Sequence, residues 1–305
     1  MLNPSTAATA ADMMPVRRDL RFSLEVERAR DWHGQGMTVT HFFNALSLLF
    51  PAGERFFMDS VRNYRDRIKD PVLKQQVLGF IGQEAMHTRE HVEYNEALEA
   101  NQLPARKLDR RVWRVVGAMK CVMPHSMRLA NTVALEHYTA MLGGLMLDDP
   151  WYLSGSEDGY KQIWLWHALE ETEHKAVAFD VWNAVMEPGA KRYLLRVGMF
   201  LIITLTFWPG VFLLHTRLIR SDWHADHRVR GMWRMIKFLY GPRKGMFPRM
   251  ASQWFDFFRP NFHPWDHDNR RHLARVSQII ADNEARQAGP AKAKVFAIRR
   301  RLDAG

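Results

Sequence analysis

Two tetrapeptides in this chain pair a carboxylate with an imidazole: Glu84-Ala-Met-His87 and Glu171-Thr-Glu-His174. Residues three apart on a helix share a face, so each tetrapeptide aims two metal-binding groups in one direction. A single glutamate precedes each motif on a stretch of its own, Glu54 before the first and Glu136 before the second. Four buried carboxylates would repel one another and would be costly to desolvate. Two divalent or trivalent ions would neutralise them, with the imidazoles completing the ligand set. Hard oxygen donors combined with imidazole suit iron first, with manganese or zinc also compatible. Glu54, Glu84, His87, Glu136, Glu171 and His174 are therefore the expected ligands and catalytic residues of a centre holding two iron ions.

The setting of each residue sharpens this. Glu136 lies in NTVALEHYTAMLGGLML, where little other charge is present. An acid there needs a strong partner; the alternative is an exposed residue on a polar face. For Glu84 and His87 the alternative is a solvated pair, because polar residues follow. Glu54 comes just after Pro51 and Gly53, which interrupt the local helical pattern. His91 is four residues after His87, and His167 is four before Glu171. Each is expected either as an extra metal ligand or as a hydrogen-bond partner of one. His137, Tyr94 and Tyr138 are expected to pack in the core. His263, Asp266 and His267 in FHPWDHD are close enough to imitate a second metal site, but a capped turn fits them better.

The elements that must position these groups are helices. The first runs from about 38 to 68, with a kink or break expected near Phe50 because of Pro51. The second starts at Asp70-Pro71, an N-cap followed by proline at the first helical position, and runs to Ala100. Others cover about 107–122, 126–147 and 157–186, with shorter ones near 249–258 and 269–287. No stretch shows period-two alternation, so no strands are expected. The order Glu, Glu-x-x-His, Glu, Glu-x-x-His on four long helices is that of ferritin-like di-metal bundles. The expected fold is all-α, a ferritin-like four-helix bundle with additional C-terminal helices. Its expected divisions are a flexible lead (1–20), the bundle (21–190), an apolar and basic helical extension (191–287) and a basic tail (288–305).

The segments GERFFMDSV, FIGQEAMHTREH, ALEHYTA and WHALEETEHKAVAFDVW resemble the bacterial family of predicted metal-dependent hydrolases, among the ferritin-like di-iron carboxylate proteins. The resemblance covers roughly 20–275. It implies the bundle fold and a metal site, and it names hydrolysis as the activity. The stripe His167, Glu171, His174 is also similar to the third-histidine pattern of p-aminobenzoate N-oxygenase. That local likeness implies a metal-ligand role for His167.

Composition limits the rest. The chain has 305 residues, of which 47% are hydrophobic and 25% charged, ample for a folded core. The single cysteine, Cys121, excludes an internal disulfide and a cysteine-based zinc site. No glycine-rich phosphate loop occurs. The start has no basic-then-apolar pattern of a secretory signal, so the expected location is cytoplasmic. Val197 to Leu214 carries no charge, and basic residues flank it on both sides. That distribution disfavours a single span and favours a shallow hairpin or in-plane insertion at the inner face of the cytoplasmic membrane. The alternative is a core helix covering the bundle. The net charge of +10 is accordingly assigned to an anionic membrane surface, with nucleic acid ranked last.

These features lead to an O2-activating di-iron oxidoreductase that acts on an apolar or lipid-like substrate and draws on an external electron donor. The alternatives are a two-metal hydrolase and a non-enzymatic iron-binding protein.

Overall fold

The computed structural model describes residues 13–222 and 228–288. The expected lead at 1–12 and most of the expected basic tail (289–305) lie outside the described residues.

The described chain is helical throughout. Its long elements are α1 (Met37–Arg62), α2 (Pro71–Ala100), α3 (Ala105–Val122), α4 (His125–Asp148) and α5 (Asp158–His174). They are followed by α6 (Val177–Val185), α7 (Ala190–Ser221), α8 (Arg228–Tyr240), α9 (Met246–Asp256) and α10 (Val276–Ala288). Helices α1, α2, α4 and α5 pack on one another and carry all the predicted ligands. Helix α3 leans on α1, α7 lies along α1 and α4, α8 packs on α1, and α9 packs on α4 and α8. An aromatic-rich core that includes Trp32, Phe43, Tyr94, Tyr160 and Trp166 fills the interior.

Local chemistry sets the boundaries. The Asp70 side chain accepts from Val72 N at 2.9 Å, and Pro71 occupies a position whose N–H would have no partner. Glu157 caps α5 by accepting from the amides of Gly159 and Tyr160.

Three features depart from expectation. Helix α1 passes through Pro51 without a break. The missing proline N–H frees the carbonyl of Ser47, four residues earlier, and the Asn95 amide of α2 donates to it at 3.1 Å. The stretch expected as one helix over 157–186 is two, parted at Lys175-Ala176. Lys175 is buried there and its Nζ donates to His267 O and Asn269 Oδ1, each at 2.7 Å, so a distant loop draws the chain off its helical path. Finally, α7 is one continuous helix of 32 residues through Pro209-Gly210, not a hairpin. Its packed side, including Phe200, Ile203, Trp208 and Val211, lies on α1 and α4.

The described part of the lead is pinned down. Pro15 lies against Gly79 of α2, so close that a β-carbon at Gly79 would collide with it. Arg18 reaches Glu170 and Glu173 on α5.

Candidate metal centre

Each bundle helix delivers at least one group to a common point inside the bundle. Glu54 comes from α1, Glu84 and His87 from α2, Glu136 from α4, and His167, Glu171 and His174 from α5. All seven are buried. Their donor atoms fall into two groups, one formed by Glu84, Glu171 and His174 and the other by Glu54, His87 and His167. In the first, His174 Nε2 lies 3.2 Å from Glu84 Oε1, 3.3 Å from Glu171 Oε2 and 3.6 Å from Glu136 Oε2. In the second, His167 Nε2 lies 4.0 Å from Glu54 Oε1. Glu171 joins the two, because its other oxygen is 3.0 Å from His167 Nε2.

Many of these atoms have no hydrogen-bond partner. Both carboxylate oxygens of Glu84 and of Glu136, one of Glu54, His87 Nδ1 and His174 Nε2 are buried and unpaired. Protein interiors pair more than about nine in ten such groups, so this concentration needs a physical cause. The orphaned atoms are all lone-pair donors on carboxylate and imidazole, the donor set of iron, manganese or zinc. The residues present fit a pair of metal ions.

The histidines are held from behind. His174 Nδ1 donates to Gln83 Oε1 at 2.9 Å, and Gln83 Nε2 donates to Glu173 at 2.6 Å. His87 Nε2 faces Glu170 Oε2 at 3.1 Å, and Glu170 also accepts from Trp166 Nε1 and Arg18. That leaves His87 Nδ1 for the centre. Behind His167 the partners fix every proton. Asn95 Nδ2 donates to the Ser47 carbonyl, so its Oδ1 accepts from Ser47 Oγ at 2.9 Å. Ser47 Oγ then accepts from His91 Nδ1 at 2.9 Å, and His91 Nε2 accepts from His167 Nδ1 at 2.7 Å. His167 Nε2 is the nitrogen left facing inward, 3.0 Å from Glu171 Oε1. Such partners orient a ligand and tune its basicity.

His91 is therefore no member of either group. Both its ring nitrogens are engaged, which makes it the hydrogen-bond partner of His167. His137 packs among Phe200, Phe257 and Phe262 and faces the Gln253 carbonyl. FHPWDHD is a capped turn, in which His263 accepts from Trp265 N and Asp266 accepts from His263 N. Sequence reasoning missed Gln83, Glu170, Glu173, Ser47 and Asn95, together with Thr139, whose hydroxyl donates to Glu171 Oε2 at 2.6 Å. One signal was available: the buried run Glu170-Glu171-Thr172-Glu173 carries three acids where a core face allows none unpaired.

Electrostatics follow from the crowding. Burial raises Glu54, Glu84 and Glu136 well above the ordinary glutamate value, and the neighbouring carboxylates raise them further. Burial also pushes Glu171 up, but His174 and His167 overcome it and hold the group below the usual range. His87 is depressed by burial and then by His167. Glu170 is pushed up to about 8 by burial, against the pull of Arg18. Burial thus favours the protonated form of Glu54, Glu84 and Glu136 over the charged one.

One side of the centre adjoins an apolar cavity of about 320 Å³ between α1, α3, α4 and α7. Thr139 and Phe50 line it, and the Phe50 ring lies 4.7 Å from both His91 and His167.

The model of the family described as "predicted metal-dependent hydrolase" matches residues 16–268. The chain belongs to that family, which accounts for most of its length and for all of the groups at the centre. No curated protein and no solved structure matches the chain.

Proposed function

We propose that Glu54, Glu84, His87, Glu136, Glu171, His167 and His174 hold two iron ions, and that the protein is an O2-dependent oxidoreductase acting on an apolar or lipid-like substrate. The observation that carries this is the set of unpaired buried oxygens and nitrogens converging from four helices. Iron held there would supply one-electron redox chemistry, being oxidised by O2 and re-reduced by an external donor. The chain's own residues do the rest. Glu171 touches both halves, Thr139 fixes one of its oxygens, and the closed interior excludes bulk water. The apolar cavity admits a substrate without polar competition.

Membrane association belongs to the same reading. Helix α7 is long and apolar enough to cross a bilayer, and only 33% of its most apolar window is buried. Leu194, Leu201, Ile202, Leu205 and Leu213 face outward. On α8, Met232, Trp233, Ile236 and Tyr240 are also exposed. With one side of α7 packed on the bundle, we place the protein as a monotopic one at the cytoplasmic face of an anionic membrane.

A second reading, two-metal hydrolysis, is favoured by the family's own description. There the ions would activate water and clamp a leaving group. One experiment separates them: metal analysis with optical and Mössbauer spectra of the anaerobically reduced protein, before and after O2. Two irons that oxidise on exposure to O2 support the oxidase reading. Full turnover of esters with zinc alone would overturn it in favour of hydrolysis.

A further inference from the structure

The cavity beside the centre has a definite chemical character. Its wall is mostly apolar, contributed by residues such as Phe57, Val112, Leu135 and Phe207, with Asn131, Thr139 and Thr206 as its uncharged polar side chains. It runs along α7 from Ile203 to Arg217, about 21 Å at the helical rise. That is the length scale of an extended long-chain acyl group. Two charged side chains, Arg111 of α3 and Arg217 of α7, line it, and both are exposed. No acidic residue lines it. Nothing fills the space over Gly210, where a β-carbon would meet no atom within 4 Å. Thr139 lines the same cavity and holds Glu171. A wall that is mostly apolar, carries two exposed arginines and no acid, and touches the metal-binding helix α4 specifies a ligand with an apolar body and an anionic group.

We propose that this cavity binds a single-chain anionic amphiphile, a long-chain carboxylate, with its head between Arg111 and Arg217 and its chain passing over Thr139. Burial of the chain provides the affinity, and the two guanidinium groups set the polarity of entry. Entry is from the side where α7 and α3 expose Leu213 and Val115, and Leu213 belongs to the α7 face assigned above to the membrane. The assignment of this ligand as substrate rests on the di-metal reading; its binding does not.

The test uses the full chain, metal-free and iron-loaded, with palmitate as the probe and methyl palmitate as its neutral counterpart. Saturable binding at one site per chain is expected, with palmitate at least tenfold tighter than methyl palmitate. Gly210→Leu fills the cavity from a position with open space, and it should weaken palmitate at least tenfold while leaving metal content and melting temperature unchanged. Exchanging both Arg111 and Arg217 for serine should abolish the preference for palmitate over its methyl ester and leave the ester's own affinity intact. Palmitate should also perturb the visible spectrum of cobalt-substituted protein, because the chain passes the centre. Failure to bind palmitate would overturn the proposal, as would binding that Gly210→Leu does not touch or equal affinity for the ester. Metal stoichiometry is measured separately. Two ions bound without palmitate binding would sink only this inference, whereas palmitate binding without ions would sink the di-metal reading alone.

Discussion

The two halves of the centre are built from different materials. One gathers His174 with Glu84, Glu171 and Glu136, so carboxylates outnumber imidazole. The other gathers His87 and His167 with Glu54. Their outer supports differ at one histidine only, since His87 and His174 each lead to a carboxylate, Glu170 directly and Glu173 through Gln83. His174 rests on Gln83 and, through it, on Glu173. His167 rests on an uncharged chain through His91, Ser47 and Asn95. A cation in the first half meets more negative charge, and one in the second meets more neutral nitrogen. Two chemically identical ions would thus be held inequivalently, the first more tightly and at a lower reduction potential.

Removing the shared member tests the comparison most severely. Glu171→Ala should abolish binding of both ions, read as metal per chain falling from about two to near zero, because both halves lose a ligand. Retention of one tight ion would show that Glu171 does not join the halves. His167→Ala should cost only the second ion, leaving about one per chain in the carboxylate-rich half. Loss of both would mean that the halves are not separable. His91→Gln should weaken the second ion alone by roughly 10–100-fold in a metal titration, since it removes the support of a ligand. Equal weakening of both would erase the distinction between the two supports.

A pH dependence comes next. The carboxyls of Glu54, Glu84, Glu136 and Glu170 are raised above their ordinary 4.5 by burial, Glu170 to about 8. The folded metal-free protein therefore holds more protons than the unfolded chain above pH 4.5, and stability falls as pH rises. His87 acts oppositely, but only as pH drops below its ordinary 6.5. Between about pH 6.5 and 8.5 the carboxyls act against Lys175, which burial lowers to about 7 and which sheds its costly buried charge as pH rises; with several carboxyls against one amine, the melting temperature of the metal-free protein should still fall. Loading both ions should remove or reverse the slope, since metal binding displaces those protons. The smallest effect concerns Asn131, which is buried on α4 with both amide atoms unpaired, outside either half. Asn131 also lines the cavity, and Asn131→Leu should raise stability by about 1 kcal/mol in chemical denaturation, because an apolar side chain there replaces an unpaired amide. The same change toward leucine at Glu84 or Glu136 should instead destroy ion binding.

Much of this was legible from residue types and spacing. Glu54, Glu84, His87, Glu136, Glu171, His174 and His167 meet in space because helical periodicity aligns each motif and the order of the four helices aligns the rest. Asp70-Pro71 placed the start of α2 because a cap and a proline have the same local meaning in every context. What stayed hidden depends on partners remote in sequence. Nothing within HKAVAFD breaks a helix; the break at Lys175 comes from acceptors at 267 and 269. Pro51 looked like an interruption because its remedy, the Asn95 amide, is 44 residues further along another helix. The same remedy fixes the proton positions behind His167. Arg18 lay in what read as a loose lead, since its partners are 152 and 155 residues away.

That last contact has a consequence for how the protein comes into being. Arg18 is synthesised well before its seat on α5, whose Glu170 and Glu173 come 152 and 155 residues later. The latch behind His87 and His174 can fasten only once all four rods have been synthesised and docked. Capture of cations is thereby deferred to the end of assembly. A nascent chain with half its acids exposed would not yet grip a stray ion at a finished site, and a purification tag fused tightly against Pro15 would interfere with the clasp while leaving every ligand unaltered.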